Sequence, residues 1–323
     1  MKGRMGIKSE SEINTTPDLS VTIAGVHFRN PVIAASGTFG YGSEYTGLLD
    51  IAALGGICTK GLTLNPRPGN TGLRIHETAS GLMNSIGLEN PGIPAFIEKE
   101  LPDLRKLGPV VIANLSGSDI EEYAEGASLL NKSSIDMIEL NISCPNVKSG
   151  GMAFGLDPEM AAEATAVVRK AAPQKPLMVK LSPNAPDINA VAKACIAMGA
   201  DALSLVNTFK VMAIDVQARR PVFDNISAGL SGPAIKPIAL RMVWELADTL
   251  KKEKLSVPVI GLGGIACAFD ALEFLLAGAA AIQVGSATFA HPPAMNEIIT
   301  SIETYMKEKT ISNLAALSIN SAT

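Results

Sequence analysis

The sequence has little of what usually staples or metallates a protein. Its four cysteines, Cys58, Cys144, Cys195 and Cys267, stand singly, without C-x-x-C spacing or the density of a disulfide scaffold, so they read as reduced thiols. The three histidines, His27, His76 and His291, are scattered and end no strand-like run. A Ser-His-Asp hydrolase and a His-based zinc site therefore have little support, and no metal is expected. Lys plus Arg number 27 against 31 Asp plus Glu, a net charge of −4, with no basic arm or stripe, which argues against a nucleic-acid partner. Met1 to Ser20 is polar and lacks the apolar stretch of a secretory signal. The longest uncharged stretch, Phe274 to Asn296, is broken by glycines, Gln283, His291 and a Pro-Pro pair, poor material for a membrane span. A cytoplasmic protein is expected, with residues 1–18 as a flexible tail, 19–310 as one domain and 311–323 as a second tail. No G-x-G-x-x-G follows a strand-like run with an acidic residue beyond it, and no G-x-x-x-x-G-K-[ST] occurs, which disfavours a dinucleotide fold and a P-loop.

What the chain does contain is an ordinary globular composition, 47% apolar and 18% charged over 323 residues, and a repeating pattern. Short Val- and Ile-rich runs recur at Val32–Ser36, Gly56–Lys60, Val110–Leu115, Met137–Ile142, Leu177–Leu181, Ala202–Asn207, Val257–Leu262 and Ala281–Gly285. Between them lie amphipathic stretches at Asp119–Asn131, Asp157–Ala171, Asp187–Met198, Ile235–Lys251 and Ala268–Ala277, most starting at or near an Asp or a Pro. Near-continuous apolar strands alternating with helices imply a parallel sheet buried on both faces. Eight units without a composition break fit an α/β fold of the (β/α)8 TIM-barrel type. The two longer connections, 61–108 and 209–256, are expected insertions at its C-terminal face, as substrate walls or lids, barrel caps or subunit joints.

On that reading the strand ends carry Ser36, Lys60, Asn114, Asn141, Lys180, Asn207, Gly263 with Gly264, and Gly285 with Ser286, all converging on one mouth. Amides and ammoniums at the ends of apolar strands are costly to bury unless partnered, so a ligand is expected there. The Gly clusters after strands seven and eight leave backbone N–H groups uncovered, the usual place for a phosphate in a barrel, and a mononucleotide such as FMN fits one such cradle. Cys144 follows the fourth strand and leads into Lys148-Ser149-Gly150-Gly151; a thiolate there could act as base or nucleophile. The other three cysteines read as small buried hydrophobes.

The chain resembles the class 1 dihydroorotate dehydrogenases, specifically the catalytic subunit of the NAD-linked two-subunit (type B) enzyme, from about Leu19 to about Met306. The resemblance rests on Ala-Ser-Gly-Thr-Phe-Gly (35–40), Thr-Lys-Gly-Leu-Thr (59–63), Asn-Pro-Arg-Pro-Gly-Asn (65–70), Asn-Ser-Ile-Gly-Leu-Glu-Asn-Pro-Gly (84–92), Asn-Ile-Ser-Cys-Pro-Asn (141–146) and Gly-Leu-Ser-Gly-Pro-Ala-Ile-Lys-Pro (229–237). It implies oxidation of (S)-dihydroorotate to orotate in pyrimidine (UMP) biosynthesis. It also implies FMN contacts at Ser36, Lys60, Gly61, Asn114, Asn141, Lys180, Val206, Gly232, Gly263, Gly264, Gly285 and Ser286. Substrate contacts carried over are Lys60, Asn84, Ser85, Ile86, Gly87, Leu88, Asn141, Asn207 and Thr208, with Cys144 as general base and Lys60 beside it in catalysis. The implied assembly is a heterotetramer, a homodimer of this chain with two partner subunits that carry FAD and a 2Fe-2S cluster. Rival readings are a fumarate-dependent enzyme acting alone, a dihydropyrimidine dehydrogenase-like flavin barrel, and a non-redox phosphate-binding barrel. The chain departs from the family pattern at Ser227-Ala228, where smaller, glycine-like residues are expected.

Overall fold

The computed structural model describes residues 16–143, 154–317 and 319. Eight parallel strands close into a barrel: β1 (Val32–Ala34), β2 (Gly56–Cys58), β3 (Val110–Leu115), β4 (Met137–Asn141), β5 (Leu177–Lys180), β6 (Ala202–Leu205), β7 (Val259–Leu262) and β8 (Ala281–Val284). Each pairs with its neighbour in sequence, and β8 closes on β1 with Gln283 opposite Ile33. The expected fold class is thereby met. All strands but β3 are shorter than the apolar runs, so Ser36, Lys60, Asn207 and Gly285 lie just past their ends rather than within them.

Alternation along each strand sorts side chains into two cores. Val111, Ala113, Leu115, Ile138 and Leu140 face outward and pack with helix residues such as Ala127, Leu130, Ala161 and Ala164. Ile33, Cys58, Ile112, Met137, Met178, Ala202, Ile260 and Ala281 face inward, and this inner cluster also contains Ile23 and Phe28 of an N-terminal hairpin, Val21–Ile23 with Val26–Phe28. The N-terminal end of the barrel is thus filled with hydrocarbon, and polar inward-facing residues are confined to the upper half. Near the start of the described chain, Asp18 N–H donates to Ser312 O at 2.8 Å.

The helices begin where Asp residues can cap them. Asp119 accepts from Glu122 N–H ahead of α1 (Ile120–Asn131), Asp157 from Glu159 and Met160 N–H ahead of α2 (Pro158–Ala171), and Asp187 from Ala190 N–H ahead of α3 (Ile188–Ala197). α4 (Lys236–Lys252) and α5 (Ala268–Leu276) complete the expected set. Two helical segments longer than a single turn were not foreseen, residues 93–106, which contain a π turn and two prolines, and α6 (Ala294–Glu308), which opens directly after Pro292-Pro293. Pro94 and Pro102 sit in the first turns of helical pieces and Pro293 is the N-cap of α6, positions where a missing N–H costs nothing, yet in a sequence proline reads as a break.

The two long connections meet each other. Ile75–Thr78, Gly81–Asn84, Ser227–Ser231 and Phe209–Met212 form a four-stranded antiparallel sheet in that spatial order, with Asn84 opposite Gly229. Ser227 and Ala228 fall in this sheet, and Ala228 is buried against Met83 and Phe223. No helix among the described residues is long and apolar enough to cross a membrane.

Candidate active site

A buried carboxylate organises the upper barrel. Glu139 points inward from the middle of β4 and is fully buried. Its Oε2 accepts from Cys58 Sγ at 3.0 Å and Asn114 Nδ2 at 2.6 Å, and its Oε1 from Ser204 Oγ and Gln283 Nε2, each at 2.8 Å. Lys180 Nζ lies 3.9 Å from Oε2. Burial pushes the Glu139 carboxyl up, but the Lys180 charge and the donated hydrogen bonds outweigh it and hold the group below the ordinary glutamate range. The same neighbourhood acts oppositely on Cys58: burial and the Glu139 charge push its thiol well up, so it stays a neutral donor.

Above this layer the residues at the strand ends are linked to one another. Lys180 Nζ donates to Ser36 Oγ at 3.4 Å. Asn141 Nδ2 donates to Asn114 Oδ1, and Asn207 Nδ2 to Asn141 Oδ1, each at 3.3 Å. Asn114 and Asn141 are buried and Asn207 is half-buried. A Cβ built on Gly61 would stand 3.0 Å from Leu88 Cδ2 and 3.2 Å from Asn114 Oδ1, so this position brings the 84–88 loop down onto the asparagine row. Thr208 presses on Gly229, across the sheet from Asn84, whose Nδ2 donates to Gly229 O. Ser85 is held by Asn70 Nδ2, and Gly87 adopts φ +77° against Asn70, where a Cβ would meet Asn70 Oδ1 at 2.4 Å. Lys60 is half-buried, with its backbone N–H on Gly40 O and its charge acting on Glu89.

The Gly-rich ends of β7 and β8 form a cradle. Gly263 and Gly264 have φ of +128° and +77°, and a Cβ on Gly264 would stand 2.7 Å from Gly232 O. A Cβ on Gly263 would meet Val206 Cγ2 at 3.2 Å, which places Val206 and Gly232 beside the same turn. At Gly285 a Cβ would rest in ordinary contact, with Ala35 Cβ nearest at 3.6 Å and Thr38 beyond it. The backbone N–H groups of Gly264, Gly285 and Ser286 have no partner among the described residues. Unpaired backbone donors at a barrel mouth suit a phosphate-bearing ligand, and the buried Ser116 Oγ, also without a partner, lies beside Gly61.

Cys144 and Lys148 to Gly151 lie outside the described residues. The chain leads toward them from Ser143, whose N–H donates to Asn141 Oδ1 at 3.2 Å and whose Oγ donates to Lys180 O at 3.3 Å. Of the cysteines expected to be small buried hydrophobes, Cys195 is buried and Cys58 is buried but hydrogen-bonded to Glu139. Cys267 is instead exposed, because it caps the N-terminus of α5, with Asp270 reaching back to its N–H. Sequence reasoning passed over Glu139, Ser204 and Gln283; the available signal was a polar residue at the centre of an otherwise apolar strand, as in Met-Ile-Glu-Leu-Asn and Ala-Ile-Gln-Val. A groove of about 740 Å³ opens near the other end of the barrel, beside Thr22, Asp201, Lys251 and Val259, and shares no residue with this site.

Fold and site together define a (β/α)8 barrel whose mouth gathers a row of amides, two lysines and a glycine-rich turn. The family model described as dihydroorotate dehydrogenase matches residues 18–306, and the chain belongs to that family. It is 57% identical to a protein of Petrotoga mobilis over 92% of this chain and 97% of the relative. It is 53% identical to one from Geotalea uraniireducens over 93% and 97% of the two chains, and 52% identical to one from Geobacter sulfurreducens over 92% and 96%. All three are named dihydroorotate dehydrogenase B (NAD(+)), catalytic subunit.

Proposed function

We propose that this chain is the catalytic subunit of an NAD-linked dihydroorotate dehydrogenase, oxidising (S)-dihydroorotate to orotate in pyrimidine biosynthesis. The observation that carries the reading is the meeting of Lys60, the asparagine row and the glycine cradle at one barrel mouth, in a chain whose relatives with that name match nearly end to end. FMN is the cofactor the residues fit: it supplies a two-electron acceptor for the hydride that leaves C6 of the substrate. Gly263, Gly264, Gly285 and Ser286 would hold its phosphate with backbone N–H groups, with Gly232 and Val206 shaping the turn. Lys180, Ser36, Gly61, Asn114 and Asn141 would line its ring.

The chain's own residues do the rest. Cys144 takes the proton from C5 as general base, which makes loss of the C6 hydride possible. Lys60 and Asn84 to Leu88, together with Asn141, Asn207 and Thr208, bind the carboxylate and ring amides and hold C5 toward that base. Lys180 places a cation where reduction adds negative charge, in a partly dry site. A partner subunit holding FAD and a 2Fe-2S cluster would carry the electrons onward to NAD, two of each chain making a heterotetramer in the cytoplasm.

Anaerobic titration of the purified chain with dihydroorotate, followed at the flavin absorbance, tests this. Bleaching that neither fumarate nor NAD reverses until a partner subunit is added is the expected result. Rapid reoxidation by fumarate would make the enzyme self-sufficient, bleaching by dihydrouracil alone would move it to the dihydropyrimidine branch, and a colourless protein that cannot take up FMN would remove the redox reading.

A further inference from the structure

Glu139 moves no proton or hydride in the scheme above, yet strands β2, β3, β6 and β8 each send it a hydrogen-bond donor. An ionised carboxylate only accepts, whereas an asparagine amide has oxygen and nitrogen ends of nearly equal size. Asn114 must therefore turn its Nδ2 toward Glu139, which leaves its Oδ1 facing the next residue in the row. Asn141 donates to that oxygen and so turns its own Oδ1 toward Asn207 and the Ser143 N–H. Asn207 donates in turn, and its Oδ1 accepts from the Thr208 N–H at 2.9 Å. The carboxylate at the inner end and the two backbone N–H groups farther out are the groups of known polarity along this row, and all three demand the same direction. Every Oδ1 in the row is occupied as a result, while the Nδ2 groups of Asn141 and Asn207 each keep a second N–H.

We infer that Glu139 is a positioning residue for substrate recognition: it orients the Asn114–Asn141–Asn207 row to offer N–H donors to an acceptor-rich anionic ligand. The inference rests on the proposed function, which takes Asn141 and Asn207 of this row to face the substrate and Asn114 to reach it through them. Against two ring N–H donors, dihydroorotate and orotate carry more acceptors, a carboxylate and two ring carbonyls. A row turned the other way would set carbonyl oxygens against them and leave both sides unpaired, which is discrimination by mismatch.

The test is calorimetric binding of orotate, and of orotamide in which the carboxylate is replaced by an amide, to FMN-saturated protein. In Glu139→Gln the acceptor toward Asn114 is kept, because Gln283 can turn its own partnerless Oε1 to the new amide N–H; the orotate Kd is expected within about threefold of wild type. Asn114→Leu cuts the row from Glu139 but leaves that carboxylate its other donors and Lys180, and Glu139→Met removes the acceptor. Each should weaken orotate about tenfold or more and reduce the preference for orotate over orotamide, and the double variant should lose little beyond the worse single. If Glu139→Met does not fold, the other two variants decide. Asn114→Leu with wild-type affinity and preference would overturn the inference, as would Glu139→Gln losing as much as Glu139→Met, since charge rather than direction would then matter. Wild-type protein that binds FMN but no orotate would overturn the functional reading and this inference with it, whereas orotate binding that ignores the row would overturn the inference alone.

Discussion

Replacing Lys180 with Met takes the cation from beside a carboxylate that has nowhere to go. The two charged groups are 3.9 Å apart, with side chains 4% and 0% exposed, so solvent cannot take over the role of the lysine. Breaking a buried pair from one side costs about 3–5 kcal/mol, because the remaining charge sits in a low dielectric. Glu139 keeps its four donors, which places Lys180→Met near the lower end, about 3 kcal/mol at neutral pH. The pH dependence then changes sign. In the wild type the folded carboxyl is held low, so its contribution is present above the unfolded pKa and is lost only as pH falls through the folded one. Without Lys180 burial prevails and the carboxyl titrates above its unfolded value of about 4.3. Its contribution is then fully present below that value and is lost as pH rises through the raised pKa, at up to about 1.4 kcal/mol per pH unit between the two. Urea unfolding followed by far-ultraviolet circular dichroism at pH 5.5 and 7.5 measures this. The deficit of Lys180→Met should shrink at the lower pH, and Lys180→Met combined with Glu139→Gln should recover most of it at both. A deficit of equal size at both pH values and in the double variant would refute the electrostatic argument and leave Lys180 a packing role only.

Cys144→Ala should slow flavin reduction by dihydroorotate by about a hundredfold or more in a stopped-flow trace while FMN stays bound, as expected for loss of a general base; release of FMN instead would contradict the assignment. Lys60→Met should raise the KM for dihydroorotate by about tenfold or more, and steady-state constants equal to wild type would remove it from the site. Gly264→Ala forces a Cβ to 2.7 Å from Gly232 O at φ +77°, so it should lower the Tm and leave less FMN on the protein after desalting. Full FMN occupancy at an unshifted Tm would show that the turn has room to relax. Asp157→Ala removes the cap of α2 and should cost about 1 kcal/mol in urea unfolding without touching FMN content.

Much of the fold was legible because its signals are local. Runs such as Val-Val-Ile-Ala-Asn-Leu have no polar face to show water, and Asp119, Asp157 and Asp187 mark helix starts by a bond to an N–H two or three residues away. The strand-end lysines and asparagines were legible for the same reason, as polar residues closing apolar runs. The cover was not: Gly81–Asn84 and Ser227–Ser231 are weak strands in isolation, and they pair only because two connections lie over the same mouth. Cys267 misled because exposure depends on which turn it caps, which its neighbours in sequence do not state.

The sequence by itself determined the eight strands, the helix starts that an aspartate caps and the mouth at which the polar residues gather, since burial on both faces and capping are decided within a few residues. Only the tertiary structure decided what those polar residues say to one another. Glu139 meets Asn114, Ser204, Cys58 and Gln283 from 25, 65, 81 and 144 residues away, and closure of the barrel alone brings them to one point. A carboxylate that can only accept then sets the direction of every amide in contact with it, a property of the assembled network that no residue carries alone.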